Sequence, residues 1–254
     1  MRCVEPQTSN LKPQTSNLKK MLPVVILAGG LATRLRPITE TIPKSLLKVA
    51  GEPFITHQLR ELARQGIDNV ILCVGYLGEQ IENFVKDGSE YGVRLQYSYE
   101  SKKLLGTGGA IRNALHLLND EFFVLYGDAW LDIDYLSVYE SFHDSGCSAL
   151  MMIFRNEGRW DTSNVEMDGK RIKLYSKTRR NPRMTHIDSG LGIFKQEVFE
   201  KYPEGANFDL TEIYEPLSES GRLASFEGKH RFYEIGSHDG LVELNEILCV
   251  RNER

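Results

Sequence analysis

Residues 22–53 read LPVVILAGGLATRLRPITETIPKSLLKVAGEP. The stretch opens on Val24-Val25-Ile26-Leu27, a β-branched apolar run too short for a helix, which predicts a strand buried on both faces. Gly29 and Gly30 follow, then Thr33, Arg34 and Arg36, and finally Pro43-Lys44. Glycine lets a backbone approach a ligand closely and present its N–H groups without a side chain in the way. Joined to a threonine, two arginines and a lysine, such a loop makes a surface for phosphate. Neither common phosphate spacing is present. The Walker loop requires G-x-x-x-x-G-K-[ST] and the dinucleotide turn requires G-x-G-x-x-G.

Outward from this stretch the chain alternates between strand and helix. A helix is predicted over 53–65, where Ile55, Leu59, Leu62 and Ala63 share a face and Gly66 ends it. Strands are expected at 69–74, 93–99 and 121–126, with helices at 78–85 and 107–118. The last strand runs into Gly127-Asp128. This alternation predicts an α/β fold, Rossmann-like, with a largely parallel central sheet flanked by helices. Ligands in such sheets bind beyond the C-terminal strand ends, so the Gly29 loop and Asp128 are expected to face one crevice. The second half is richer in strand (148–154, 163–167, 171–175, 186–194, 223–226, 231–235), with helices at 134–143, 210–218 and 240–248.

The 254 residues carry a net charge of −4 and are 41% hydrophobic, an ordinary globular composition that gives no reason to expect nucleic-acid binding. No segment approaches the length of a membrane span. Cys3, Cys73, Cys147 and Cys249 are scattered without metal-type spacing, which fits reduced thiols in a cytoplasmic protein. PQTSNLK occurs twice in succession, at 6–12 and 13–19, so residues 1–20 read as a disordered tail and Met21 as an alternative start. Residues 21–254 read as a single domain with two halves, at about 21–130 and about 131–254, the second richer in strand.

The spacing G-G-x-A-T-R-L-x-P-x-T-x-x-x-P-K resembles the signature of the sugar-1-phosphate nucleotidyltransferases, with Ala32 in place of a third glycine. Leu105-Gly106-Thr107-Gly108-Gly109, Tyr126-Gly127-Asp128, Asn164-Val165, Ile187-Asp188-Ser189-Gly190-Leu191 and Tyr233-Glu234-Ile235-Gly236 extend the resemblance over most of the chain. It is closest to the compact subgroup acting on heptose-, mannose- or N-acetylmuramate-1-phosphate. The resemblance implies the nucleotide-diphospho-sugar transferase fold with a β-richer acceptor-binding half. It also implies attack by a sugar 1-phosphate on the α-phosphorus of GTP, UTP or dTTP, with Mg²⁺ as cofactor. Homo-oligomer formation stays open.

By the same resemblance Arg34 contacts the triphosphate, Lys44 the α-phosphate, and Asp128 the metal, with Glu234 preferred over Asp239 as second metal ligand. Arg36 has no family role and reads as a solvated side chain. Ala28, Gly29, Gly30, Thr33, Glu100, Gly106 and Thr107 fall to the nucleotide, with the backbone of Ala28, Gly29 and Gly106–Gly109 contacting the base and Glu100 accepting from it. Asn164, Lys177 and Asp188 fall to the sugar phosphate, although Arg179, Arg180 and Arg183 compete with Lys177. Ala32 is expected to keep an ordinary backbone and to be a subgroup variation. The alternative, a catalytically silent nucleotide-sugar-binding regulator on the same fold, is opposed by retention of Arg34, Lys44, Asp128 and Glu234. A dehydrogenase fails for want of the glycine fingerprint.

Overall fold

The computed structural model describes residues 21–100 and 103–252, and the expected N-terminal tail lies outside them. In chain order, β1 (Val24–Leu27) leads through the glycine loop to a small hairpin of β2 (Lys48–Val49) and β3 (Glu52–Pro53) and into α1 (Phe54–Arg64). Then come β4 (Asn69–Val74), α2 (Gly78–Val85), β5 (Arg94–Tyr99), α3 (Gly106–Ala114) and β6 (Glu121–Tyr126). The second half runs β7 (Ala129–Trp130), α4 (Tyr135–Ser145), β8 (Ala149–Arg155), β9 (Val165–Asp168), β10 (Arg171–Tyr175) and β11 (His186–Lys195). It closes with α5 (Glu197–Glu200), α6 (Thr211–Glu219), β12 (Leu223–Glu227), β13 (Tyr233–Glu234) and α7 (His238–Asn252).

Nine of these strands form one sheet in the order β5-β4-β1-β6-β11-β8-β12-β10-β9. β5, β4, β1 and β6 run parallel to one another, as the buried apolar runs and intervening helices require. Beyond β6 the direction becomes mixed: β11 is antiparallel to β6 and β8, whereas β12 is parallel to β8. β9 and β10 form an antiparallel hairpin over Gly169, whose φ of 59° suits the tight turn. The parallel character thus belongs to the first half.

Helices cover both faces. Ile55, Leu59, Ile81, Val85, Val138 and Phe142 pack α1, α2 and α4 on one side. Ala110, Ile111, Phe199, Ile213 and Leu217 pack α3, α5 and α6 on the other. Val24, Val25 and Ile26 of β1 contribute to both layers and are wholly buried. The helix expected to end at 118 ends at Ala114, and Leu115–Leu117 continue as a tighter 3-10 turn. The strand expected at 231–235 shrinks to β13, which leaves the main sheet and pairs with β7.

β1 and β6 are adjacent, with Leu27 opposite Tyr126, so the loops that follow them start side by side. The Gly127 N–H donates to the Leu27 carbonyl at 3.1 Å, and a Cβ on Gly127 would collide with that same backbone oxygen. Only glycine lets the two strand ends approach so closely. Ala32 corrects the expectation of an ordinary backbone: it lies at φ 46°, ψ 46°, in the left-handed region. Its carbonyl accepts from the Leu35 N–H and the Thr39 hydroxyl, so the turn holds it there.

Two stability measurements check these points. Gly127→Ala is expected to destabilise by about 1–3 kcal/mol in urea unfolding, because backbone must move to admit the methyl; an unchanged midpoint refutes the close-approach argument. Ala32→Gly is expected to stabilise by about 0.5–1 kcal/mol, the left-handed cost for alanine less the added chain entropy of glycine. A loss of stability in Ala32→Gly would show that the turn carries no strain.

Candidate active site

The residues after the C-terminal ends of β1, β4, β5 and β6 form the floor of a crevice. Gly29 is packed so closely that a Cβ there would lie 2.5 Å from Glu100 Oε1 and 3.1 Å from the Gly75 nitrogen. Glu100 Oε2 accepts from the Leu105 N–H at 2.7 Å, which leaves Oε1 above Gly29. Burial pushes the Glu100 carboxyl above its ordinary range, against the lowering effect of the Leu105 hydrogen bond. A cavity of about 290 Å³ opens here, lined by Gly29, Gly30, Lys44, Glu100, Gly106 and Thr107 among others. Cys73 lines it too, but burial raises its thiol so far that it is no nucleophile.

Two parts of the expected nucleotide set are spent on the fold. The Gly108 and Gly109 amides both donate to the Phe208 carbonyl at 3.0 Å. The Thr107 amide and hydroxyl reach Asp209 Oδ1 at 3.3 and 3.2 Å, and the same hydroxyl accepts from the Leu210 N–H at 2.8 Å. The N-terminus of α3 is therefore docked onto residues 208–210, and Thr107 borders the cavity with its polar atoms engaged. Ala28 donates to the Cys73 carbonyl at 2.8 Å, and neither Ala28 nor Thr33 lines this cavity or the one described next.

The charged centre lies at the end of β6. Lys44 Nζ sits 2.6 Å from Asp128 Oδ2, with each side chain 21% exposed. β13 pairs with β7 so that Glu234 stands opposite Ala129, and the Ile235 N–H donates to the Asp128 carbonyl at 3.0 Å. This brings the C-terminal acid to the β6 acid. Gly236 completes the arrangement: a Cβ on it would meet Arg34 Nη2 at 3.0 Å, Glu234 Oε1 at 3.3 Å and Asp128 Oδ2 at 3.4 Å. Burial, and next the Asp128 charge, push the Glu234 carboxyl above its usual range, while Arg34 and Lys44 pull it back. Asp239, the competing acid, lines the neighbouring cavity from the first turn of α7 but is not among the groups around Gly236. Asp134, not Asp128, caps α4, accepting from the Leu136 N–H. Among the described residues no group of three or more His, Cys, Asp or Glu is arranged around a common metal position. The donor set is a carboxylate pair.

A second cavity, of about 520 Å³, continues from this centre, with Arg34, Asp128, Asn164, Lys177, Asp188 and Glu234 in its lining. Tyr126 and Asp128 line both cavities and so mark where they meet. Asp188 Oδ1 accepts from the Gly190 N–H at 2.9 Å, and the Asp188 N–H donates to Asn164 Oδ1 at 3.2 Å. Burial raises the Asp188 carboxyl, and the Lys177 ammonium is among the groups opposing that rise. Of the cations that competed with Lys177, Arg179 is paired with Glu215 and Glu219, and Arg183 with Glu166. Arg180 faces a neighbouring groove instead. Arg36 is a surface side chain 4.0 Å from Glu40.

The sequence reading overlooked Trp160, Asp161 and Arg231, which also line the second cavity. They stand in irregular segments with no hydrophobic period to mark them. Tyr126 lay inside a quoted motif, and its place at the end of an apolar strand was the available signal.

The chain matches the Nucleotidyl transferase family over residues 23–250. It is 34% identical to a D-glycero-alpha-D-manno-heptose 1-phosphate guanylyltransferase from Campylobacter jejuni, over 74% of this chain and 83% of the relative. It is 30% identical to an N-acetylmuramate alpha-1-phosphate uridylyltransferase from Neisseria meningitidis, over 88% of this chain and 96% of the relative. A UTP–glucose-1-phosphate uridylyltransferase from Synechocystis is 30% identical over 78% of this chain, which spans 55% of that longer protein. The crystal structure of HddC from Yersinia pseudotuberculosis, complexed with GMP-PN, superposes with a TM-score of 0.75 at 27% identity, covering 90% of this chain and all of that one. The chain belongs to the nucleotidyl transferase family and is an enzyme of the sugar-1-phosphate nucleotidyltransferase type.

Proposed function

We propose that the two adjoining cavities hold the two substrates of nucleotidyl transfer, a nucleoside triphosphate beside Gly29 and Glu100 and a sugar 1-phosphate beside Asp188 and Lys177. The observation that carries this reading is the meeting of the cavities at Tyr126 and Asp128, with Arg34, Lys44 and Glu234 at the junction. A phosphate oxygen of the sugar 1-phosphate attacks the α-phosphorus of the nucleotide. The bond from that phosphorus to the bridging oxygen breaks, and its electron pair leaves with pyrophosphate. Such transfers are accelerated by alignment and by neutralisation of charge, with little covalent work for the protein.

Each side chain then has a task. Arg34 offers a planar fork to the leaving pyrophosphate. Lys44 supplies a point charge to the α-phosphate, for which it must part from Asp128. Lys177 holds the acceptor phosphate, and Asn164 and Asp188 engage sugar hydroxyls. Asp128 and Glu234 fit Mg²⁺, a hard ion usually held by one or two carboxylates with water and substrate phosphates completing its shell. When bound, it neutralises phosphate charge in the crevice. Residues 21–130 then serve the nucleotide and 131–254 the sugar phosphate. The unpaired thiols of Cys73, Cys147 and Cys249 fit a reducing cytoplasm.

Guanine is the base this reading favours. Glu100 Oε1, freed by the Leu105 bond to its twin oxygen, is an acceptor above the glycine loop, and guanine offers adjacent N1–H and N2–H donors where uracil offers one. The GMP-PN complex of the HddC neighbour and the guanylyltransferase relative support the same choice.

Pyrophosphate release tests the proposal: protein, Mg²⁺ and each nucleoside triphosphate are combined with a panel of sugar 1-phosphates. Turnover, fastest with GTP, is expected, and silence with every pair refutes the assignment. Asp128→Asn is expected to lower kcat about 100-fold or more with an unchanged circular dichroism spectrum; full activity in Asp128→Asn would remove Asp128 from the site. Glu100 also makes a pH-dependent prediction. A carboxyl raised on folding adds stability below its unfolded value and loses it as pH rises through the folded value. Glutamine has no charge to bury, so the advantage of Glu100→Gln over the natural protein should grow between about pH 4 and pH 7. Equal urea midpoints at both pH values would show that the carboxyl is not desolvated.

A further inference from the structure

We infer that the acceptor is a neutral, hydroxyl-rich sugar 1-phosphate, and that a carboxylate on the sugar is selected against by the walls of the second cavity. This deepens the reading above and rests on its assignment of that cavity to the sugar phosphate.

The basis is how charge is distributed over the lining of this cavity. Arg231 is one of two guanidinium groups in that lining, with Arg34, and its fork is already occupied. Nη1 and Nη2 bind the two oxygens of Glu243, the second at 2.8 Å. Its Cζ lies 3.7 Å from the centroid of the Trp160 ring and 5.1 Å from that of the Tyr233 ring. An arginine held bidentately by Glu243 can offer its fork to a substrate carboxylate only in competition with that pair. Arg231 therefore enters the lining as one half of a neutral ion pair.

Lys177 lines the same cavity, and in the reading above the acceptor's own phosphate neutralises it. Against these stand Asp188 and Asp161. Asp188 has one oxygen fixed by the Gly190 amide, and its other oxygen receives only a long 3.4 Å contact from the Tyr126 hydroxyl. It remains an acceptor in want of a donor, which a sugar hydroxyl supplies and a carboxylate does not. Asp161 lines the same cavity, and its charge is felt at Glu234. Asn164 spends its carbonyl oxygen on the Asp188 N–H, leaving its amide hydrogens for a hydroxyl oxygen. Arg180 is no remedy for an acidic sugar. It lines the neighbouring groove and donates to the Lys177 carbonyl at 3.2 Å. Arg34, the remaining cation of the described lining, is given to the leaving pyrophosphate in the reading above, and the lining also carries Asp128, Glu234, Asp239 and Glu243, so a second substrate anion meets more carboxylates than unengaged cations and is rejected by like charge as well as by the missing donor.

The test uses acceptors matched except for one carboxylate. Glucose 1-phosphate is compared with glucuronate 1-phosphate, which places the charge at C6. N-acetylglucosamine 1-phosphate is compared with N-acetylmuramate 1-phosphate, which places it on the O3 substituent. Binding to the full chain with Mg²⁺ and a non-hydrolysable GTP analogue is measured by calorimetry, and pyrophosphate release with GTP in parallel. The neutral member is expected to bind at least about tenfold tighter in each pair, a ratio equal to about 1.4 kcal/mol. Asp188→Asn should narrow that ratio. Asp161→Asn, at an exposed loop position, should narrow it without risk to folding. An acidic member that binds as well as its neutral partner, or a ratio untouched in both variants, overturns the inference while turnover keeps the nucleotidyl-transfer reading intact. A preserved preference with no pyrophosphate from any pair supports the acceptor class and refutes the transfer reading. Failure of every acceptor to bind overturns both.

Discussion

The contact between Lys44 and Asp128 concentrates what the rest of the structure arranges. The two residues are 84 positions apart, yet their charged atoms lie 2.6 Å from each other. The distance is closed by the register of two adjacent parallel strands, Leu27 opposite Tyr126, and by a glycine at 127 that lets the strand ends touch. An ion pair with both side chains 21% exposed adds little to stability, on the order of 1 kcal/mol or less. Its value is positional. It shows that the cation delivered by the first loop and the carboxylate delivered by β6 occupy the same few ångströms.

The second carboxylate arrives by a different route. β13 is only two residues long and belongs to no large sheet, so its hydrogen bonds to β7 cannot hold it alone. What holds it is a separate apolar cluster of Val49, Phe54, Trp130, Ile235, Leu244 and Leu248, which clamps α7 against the β2–β3 hairpin and β7. Ile235 is wholly buried and is the residue next to Glu234. Packing at one position therefore sets a carboxylate at the adjoining one, and the cost of desolvating that carboxylate is borne by apolar burial beside it.

How much of this was legible in the sequence follows from the range of each interaction. The parallel half was readable because β-branched apolar runs such as Asn69–Val74 are buried on both faces, and burial leaves a local compositional trace. The carriers of charge were readable because the glycine loop and its cations are contiguous. The backbone of Ala32 was not: a methyl in a left-handed turn looks in sequence like any alanine, and the Thr39 and Leu35 bonds that hold it there are visible only once the loop has closed. The engagement of Arg179 and Arg183 was equally opaque, since their partners Glu166, Glu215 and Glu219 stand on other elements. Gly108 and Gly109 carried the right residue type for ligand contact. Their amides go to Phe208, a partner some hundred residues away.

The ion pair also bears on how the site changes with occupancy. Arg34 and Lys44 face Asp128 and Glu234, so the protein's own charges at the junction cancel. On the reading proposed above, a triphosphate adds several negative charges to a balanced site, and Lys44 cannot serve both Asp128 and a phosphate. Once Lys44 turns to the nucleotide, Asp128 stands beside Glu234 without its counter-charge, and two neighbouring carboxylates repel at short range. That is the condition under which a carboxylate pair has most to gain from a divalent cation, and the phosphates supply the remaining oxygens such an ion needs. On the proposed reading, nucleotide binding and metal binding are coupled through one lysine: the same side chain that balances the charge of the free protein would create, by leaving, the demand for the ion.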